Sequence, residues 1–168
     1  MLKADLALLH RHRRLAVEAE IPAEDPVWAE AGIVLKEPLA VVLDVQQAGP
    51  DLVVRGRLEG KAALNCRRCL AAVEHVIDEE VTWLFRAGIS EVEAEAEEVY
   101  ALPPKGRELD LLPAVWEQVA LAVPEFALCV PDCRGLCPRC GADLNQGACG
   151  CVGQETDDRW AALRRAPE

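Results

Sequence analysis

The sequence predicts an α+β protein with a small antiparallel β-sheet or open barrel, a packed helix and a cysteine-rich C-terminal appendage. Three observations predict this class. Apolar segments rich in β-branched residues alternate with turn signals between residues 39 and 85, which is typical of antiparallel strands. An apolar stripe at helical spacing follows within residues 110–123, and six of the eight cysteines fall within residues 129–151. We therefore expect a β-rich body, residues 1–126, and a cysteine-rich segment, residues 127–168.

Residues 2–20 predict an N-terminal helix that packs on the body. Leucines recur at helical spacing and a basic run follows them: Leu2, Leu6, Leu9, then Arg11, Arg13 and Arg14. The alternative for the basic run is an arm that contacts RNA. Short basic runs are common on ordinary protein surfaces, so a solvated helix end is the favoured interpretation.

The strands are predicted at residues 39–45, at 52–58 with a continuation toward Cys66, and at 73–85. Gly49, Pro50 and Asp51 predict a turn between the first two strands, because glycine and proline supply the backbone angles that tight turns require. The sequence Cys66-Arg-Arg-Cys69 then predicts the turn that leads into the last strand.

The helices are predicted at residues 110–123 and 156–165. Asp110 is a candidate N-cap of the first helix, and Pro124 ends it. Trp160 is expected to dock the second helix, a short C-terminal one, onto another surface. Between strands and helices, the acidic residues 90–98 predict an exposed loop whose like charges repel one another.

The cysteine-rich segment predicts a structural zinc site. Cys137-Pro-Arg-Cys140 followed by Gly141 has the form of a zinc knuckle, in which two thiolates reach one metal from a tight turn. Cys129 and Cys133 can supply the second pair of ligands. Four thiolates close the coordination shell and leave no position for a substrate. One Zn²⁺ is therefore expected, bound by Cys129, Cys133, Cys137 and Cys140, and a second is allowed.

The other cysteines leave alternatives open. Cys149 or Cys151 can replace Cys129 in the main site. Cys66 and Cys69 can complete a second zinc site with Cys149 and Cys151, can form a redox pair, or can belong to a turn without chemistry. A redox CxxC usually opens a helix after a strand, whereas this one links two strands.

Composition and charge limit the classes of function. The apolar runs are far shorter than the ~20 residues that cross a bilayer, and the charged N-terminus lacks a secretory pattern, so a cytoplasmic protein with no membrane partner is expected. Clustered thiols in a reducing compartment favour metal binding over disulfides. The net charge of −11 repels polyanions on average. Motifs of nucleophile elbows, phosphate loops and dinucleotide sites are absent from the sequence, so neither an enzyme nor a small-molecule substrate is indicated.

Four blocks in order resemble the YceD family of large-subunit ribosomal RNA accumulation proteins. They are residues 65–70, 108–119, 129–145 and 158–163. The resemblance spans roughly residues 35–165 and implies a factor needed for large-subunit ribosomal RNA accumulation or processing and ribosome assembly. It also implies that Cys66, Arg68 and Cys69 do more than turn the chain, because that block recurs widely in the family.

The expected partner is a ribosomal protein or a pre-ribosomal particle. The acidic chain would attract a basic ribosomal protein. Contact with rRNA would be indirect or limited to a local patch near Arg55, Arg57, Arg67 and Arg68. The alternative function is a regulator whose CxxC pairs respond to zinc or to oxidation of their thiols.

Overall fold

A computed structural model of the chain describes residues 2–103 and 106–151. The elements in chain order are β1 (Lys3–Asp5), α1 (Leu6–His12), β2 (Arg14–Ile21), α2 (Val27–Glu30), β3 (Leu39–Ala48), β4 (Asp51–Asn65), β5 (Ala72–Arg86), α3 (Glu91–Ala96), β6 (Tyr100–Ala101), β7 (Glu108–Asp110) and α4 (Leu112–Ala122).

The strands form two open sheets. The larger sheet has the order β2-β3-β4-β5-β6; its first three pairings are antiparallel, and β6 pairs with β5 in parallel. The strands β1 and β7 form a separate antiparallel pair. Within the described residues the sheet does not close into a barrel, so an open sheet is the form that this chain adopts.

The core lies on one face of the larger sheet. Alternate residues of β3 and β4 are almost fully buried, as the two-residue period of a half-buried strand requires: Leu39, Val41, Leu43 and Val45, then Leu52, Val54 and Leu58. Helix α4 contributes Val115 and Val119 to the same core. The indole nitrogen of the half-buried Trp116 donates a hydrogen bond to the Val27 carbonyl oxygen at 3.0 Å.

Gly56 allows β3 and β4 to approach closely. A Cβ atom at this position would overlap the carbonyl oxygen of Val42 and would lie 2.8 Å from Cδ2 of Leu43. The sheet therefore requires a residue without a side chain at position 56.

Two local predictions differ from the structure. The predicted helix over 2–20 is limited to α1, and Arg14–Ile21 forms the edge strand β2. The alternation of Leu15, Val17 and Ala19 with polar or small residues explains this, because it suits a strand with one buried face. The predicted loop at 90–98 contains α3, which the Ser90 side chain caps by accepting from the Glu93 amide at 3.3 Å.

The remaining predictions have simple outcomes. Strands occupy all three predicted segments and extend beyond each one, and the helix predicted at 110–123 is observed at Leu112–Ala122. The N-cap residue is Leu111 and not the predicted Asp110, although the Asp110 side chain accepts a hydrogen bond from the Leu112 amide at 3.0 Å. No described helix has the length and apolar character needed to cross a membrane. The predicted helix at 156–165 lies outside the described residues, and the division after residue 126 stays a prediction.

Candidate metal centres

The turn between β4 and β5 forms the first of two equivalent cysteine knuckles. The Cys66 amide donates to the Ala71 carbonyl oxygen at 2.8 Å, and the Leu70 amide donates back to the Cys66 carbonyl oxygen at 2.9 Å. Leu70 adopts a φ of 61°, which non-glycine residues rarely do. This conformation reverses the chain directly after the second cysteine of the CxxC.

The second knuckle repeats these bonds at the corresponding positions. The Cys137 amide donates to the Ala142 carbonyl oxygen at 2.8 Å, and the Gly141 amide donates to the Cys137 carbonyl oxygen at 2.9 Å. Gly141 takes the place of Leu70 with a φ of 72°. Two distant CxxC sequences therefore fold into the same loop, which presents both sulfurs on one side.

Each knuckle meets a second pair of cysteines. One cluster contains Cys66, Cys69, Cys129 and Cys133; the other contains Cys137, Cys140, Cys149 and Cys151. Within each cluster all four sulfurs lie within 4.8 Å of one another. We call these clusters the first and the second centre. All eight cysteines are free thiols, so no disulfide competes for them.

The sulfur separations in the first centre suit tetrahedral coordination. Cys66 Sγ lies 3.6 Å from Cys133 Sγ, and Cys69 Sγ lies 3.5 Å from Cys129 Sγ. Sulfur ligands at about 2.3 Å from a tetrahedral ion would stand about 3.8 Å apart. The observed distances are therefore close to those of a four-thiolate metal site, and they are much longer than a disulfide bond of about 2.05 Å.

Backbone amides stabilise one thiolate in each centre. Burial raises the pKa of the Cys66 thiol, but hydrogen bonds from the amides of Cys129, Cys69 and Arg68 outweigh it and lower that pKa to about 6. The amides of Cys140 and Arg139 lower the pKa of Cys137 to about 6. Both knuckles thus favour the ionised sulfur that a metal needs.

The opposite shift, a raised pKa, occurs at Cys69 and Cys129 of the first centre and at Cys151 of the second. Hydrogen bonds to the sulfurs of Cys69 and Cys133 raise the pKa of Cys129 to about 12. Hydrogen bonds to the sulfurs of Cys140 and Cys137 raise the pKa of Cys151 to about 12. Four thiols at this distance cannot all ionise at neutral pH without a compensating positive charge, which a metal ion would supply.

Arg68 links the first knuckle to the segment that leads into the second centre. Its guanidinium donates to the Cys133 carbonyl oxygen at 2.8 Å, and its own carbonyl oxygen accepts from the Leu136 amide at 3.0 Å. A Cβ atom on Gly135 would lie 2.9 Å from that same carbonyl oxygen. The chain between the two centres therefore rests on the backbone of the β4–β5 turn.

Asn145 provides a second link between the centres. Its side-chain amide donates to Cys133 Sγ at 3.4 Å, and its side-chain oxygen accepts from the Arg134 amide at 2.7 Å. It also donates to Asp143 Oδ1 at 2.7 Å. Asn145 thus contacts a sulfur of the first centre from the loop between Cys140 and Cys149. Sequence reasoning missed this role, although Asn145 belongs to the block that carried the family resemblance.

The structure groups the predicted ligands differently. Cys129, Cys133, Cys137 and Cys140 were expected around one ion, but Cys129 and Cys133 lie with the β4–β5 knuckle, while Cys137 and Cys140 lie with Cys149 and Cys151. Cys66 and Cys69 likewise meet Cys129 and Cys133 rather than the CxC pair. The grouping differs because of tertiary packing. Residues 127–136 pack on the β4–β5 turn, where the Arg67 amide donates to the Ala127 carbonyl oxygen at 2.9 Å. That these sulfurs bind metal stays a prediction.

The four arginines proposed for RNA contact are engaged in different ways. Arg57 forms ion pairs with Asp78 at 2.5 Å and with Glu59 at 3.0 Å. Arg67 donates to the Glu125 carbonyl oxygen at 2.8 Å and its guanidinium lies 5.4 Å from the centroid of the Phe126 ring.

The Arg68 guanidinium donates a hydrogen bond to the Cys133 carbonyl oxygen. Arg55 lies opposite Asp44 in the β3–β4 pair. Acidic residues thus lie beside Arg55 and Arg57, and hydrogen bonds to backbone carbonyl oxygens engage Arg67 and Arg68. These contacts weaken the case for a local RNA-binding patch at the four arginines.

The chain is similar in sequence to several known proteins. Residues 54–165 match the family described as "Large ribosomal RNA subunit accumulation protein YceD", a range that begins in β4 and includes all eight cysteines. An uncharacterised protein of Mycobacterium tuberculosis is 31% identical over 121 residues, covering 72% of this chain and 58% of the relative. An uncharacterised protein of Mycobacterium leprae is 25% identical over 131 residues, covering 77% and 60%.

A plant relative carries a descriptive name. The "Large ribosomal RNA subunit accumulation protein YCED homolog 1, chloroplastic" of Arabidopsis thaliana is 27% identical over 152 residues, covering 75% of this chain and 47% of the relative. This chain therefore spans about half to three fifths of the length of these curated relatives. No solved structure matches the chain.

Proposed function

Because this chain belongs to the YceD family of large ribosomal RNA subunit accumulation proteins, we propose that it is a non-enzymatic ribosome-assembly factor that supports accumulation of large-subunit rRNA. The observation that carries the proposal is the family match, which covers most of β4, all of β5 and α4, and residues 127–165 of the cysteine-rich segment. The site geometry is compatible with it, since both cysteine clusters offer closed sets of four ligands rather than a position for a substrate.

We further propose that each centre holds one Zn²⁺ in a structural role. Four thiolates are a soft donor set that suits zinc, and the CxxC knuckles with their amide hydrogen bonds favour ionised sulfur. In the first centre such an ion would join the β4–β5 turn to residues 129–133; in the second it would join residues 137–140 to 149–151. Metal binding would then fix the course of the cysteine-rich segment on the body, because its described part, residues 127–151, contains no helix and only one isolated β-bridge.

The proposed partner follows from the family of this chain and from its net charge. A ribosomal protein or a pre-ribosomal particle in the cytoplasm is the proposed context, and the net charge of −11 favours a basic protein over direct contact with rRNA.

The test is depletion of the protein in its native host. We expect the ratio of large- to small-subunit rRNA to fall and free large subunits to decline on a sucrose gradient. Re-expression of the wild-type chain restores both. An unchanged ratio and gradient profile on depletion would contradict the proposal for this member of the family.

A second candidate function is a regulator that responds to zinc or oxidants. The observation in its favour is the exposure of the second centre, where Cys140 and Cys151 are open to solvent. Mass spectrometry of alkylated protein after mild peroxide distinguishes the two. A sensor loses metal and changes thiol state at low peroxide, whereas a closed structural site keeps both until the metal is removed by a chelator.

A further inference from the structure

A groove at the edge of the larger sheet is separate from both cysteine centres. It has a volume of about 760 Å³ and lies between α3, α4 and the strands β5 and β6. One face of α4 forms a wall, since Pro113, Glu117 and Leu121 follow one another at intervals of four residues. None of the residues that line it is a cysteine.

The base of the groove is aromatic and rigid. The Tyr100 ring stacks on Phe85 with centroids 5.0 Å apart and meets Trp83 edge-on at 6.4 Å. The Tyr100 hydroxyl donates to Glu117 Oε2 at 2.7 Å, which fixes the ring at the wall of α4. Leu121 is 75% exposed, so a large apolar side chain projects into solvent beside this aromatic base.

The rim of the groove is strongly acidic. Five carboxylates line it: Glu91, Glu95, Glu98, Asp110 and Glu117. The described lining includes neither lysine nor arginine. The carboxylates of Glu91, Glu95 and Glu98 make no hydrogen bond or ion pair to another described residue. Close like charges repel one another, so this rim attracts cations.

We propose that this groove binds a lysine- and arginine-rich amphipathic segment of a partner protein. Apolar side chains of the segment pack on Leu121 and on the partly exposed ring of Tyr100, while its basic side chains pair with Glu91, Glu95 and Glu98. The inference rests on the proposed function only in placing such a partner in ribosome assembly. The groove and its charges are properties of the chain itself.

The chemistry of the groove decides between a protein segment and other occupants. Five carboxylates repel the phosphates of a nucleic acid. A polyamine would satisfy the rim but would leave the apolar base and Leu121 exposed to water. A segment with both basic and apolar side chains complements both parts.

The test uses the full chain and a fluorescent synthetic peptide of about 18 residues, with leucines at helical spacing and lysines on the opposite face. Binding is followed by anisotropy at increasing salt. The groove variant carries Glu91→Gln, Glu95→Gln and Glu98→Gln. Its matched control carries Glu18→Gln, Glu20→Gln and Glu24→Gln, which change the net charge equally on exposed residues that do not line the groove. A further variant, Leu121→Ser, removes the exposed apolar side chain.

We expect the groove variant to weaken peptide binding about tenfold or more, since each exposed ion pair contributes modestly and three are removed. The matched control should change binding by less than about twofold. Leu121→Ser should weaken binding with the charge intact. Far-UV circular dichroism checks that each variant keeps its fold.

The inference would be overturned if the wild-type chain did not bind the peptide, or if the groove variant and its control lost equal peptide affinity. Equal affinity for a peptide of the same composition in scrambled order would also overturn it. So would stronger competition by poly(U) or spermine than by the unlabelled peptide. Full restoration of large-subunit rRNA in depleted cells by the groove variant would overturn the placement of the partner in ribosome assembly. Groove-dependent peptide binding combined with unchanged rRNA on depletion would contradict the proposed function alone.

Discussion

Gly135 offers a sharp test of how the cysteine-rich segment docks on the β4–β5 turn. Its φ is 75°, and an added Cβ atom would lie 2.9 Å from the Arg68 carbonyl oxygen and 3.2 Å from the Arg68 Cβ. That carbonyl accepts from the Leu136 amide at 3.0 Å, so a shift of the backbone would also weaken this hydrogen bond. Gly141 is the matched control, because its φ is 72° and nothing lies within 4 Å of an added Cβ.

The expected magnitudes follow from these contacts. An alanine in the left-handed region costs roughly 1–2 kcal/mol at either position. At position 135 the backbone clash adds about 1–3 kcal/mol and the weakened hydrogen bond about 1 kcal/mol. Gly135→Ala should therefore lower the free energy of local opening by about 2 kcal/mol more than Gly141→Ala does. This difference corresponds to about 30-fold in the local opening equilibrium. Leu70 shows that the knuckle position tolerates a side chain, since it adopts a φ of 61° at the equivalent place.

The assay is hydrogen exchange of the metal-loaded full chain, followed at the Leu136 amide. Exchange of a protected amide reports the free energy of the opening that exposes it. We expect Gly135→Ala to accelerate exchange of Leu136 about 30-fold more than Gly141→Ala does. Equal acceleration by both variants would refute the docking argument, because the two positions differ chiefly in their contact with Arg68.

Three further predictions concern separate contacts. Gly56→Ala should lower the melting temperature by several degrees, roughly 2–4 °C per kcal/mol, because the added Cβ overlaps a backbone oxygen of β3. Gly60→Ala should lower it less, since its Cβ meets mainly the flexible end of a leucine at 3.0 Å. Similar melting temperatures of the two variants would contradict this prediction. Asn145→Ala should speed metal release to a chelator from the first centre by roughly 10–100-fold, because it removes a hydrogen bond to the Cys133 sulfur. An unchanged release rate would show that this hydrogen bond does not stabilise the bound metal. Ser90→Ala should destabilise α3 by about 1 kcal/mol and expose its amides to exchange, and unchanged exchange would argue against the capping box.

Local sequence patterns predicted the elements whose signals are local. The strands between residues 39 and 86 alternate buried and exposed residues, and glycine at position 49 adopts the positive φ that its turn requires. Two other segments carry local signals of their structure that the sequence analysis missed. The alternation within Arg14–Ile21 indicates a strand, but the helical spacing of the leucines before it suggested a helix over residues 2–20. Ser90 followed by Glu93 is a capping box, but the like charges of residues 90–98 suggested a loop.

The pairing of the cysteines could not be read from their spacing. Cys129 and Cys133 are close to Cys137 in sequence, which suggested one site, but they lie about the β4–β5 knuckle some 60 residues earlier. That arrangement depends on contacts of Arg67 and Arg68 with residues 125–136, which no local motif encodes. The count of eight cysteines and the presence of two CxxC turns did allow a second centre, because each knuckle needs one further pair.

The most direct test of the account is the metal content of the full chain by native mass spectrometry, with the element identified by plasma emission. The wild-type chain should carry two zinc ions, one for each cluster. The double variant Cys66→Ser, Cys69→Ser should keep one ion, and Cys137→Ser, Cys140→Ser should also keep one. A wild-type chain with a single ion that survives loss of Cys66 and Cys69 but is lost with Cys137 and Cys140 would contradict the two centres.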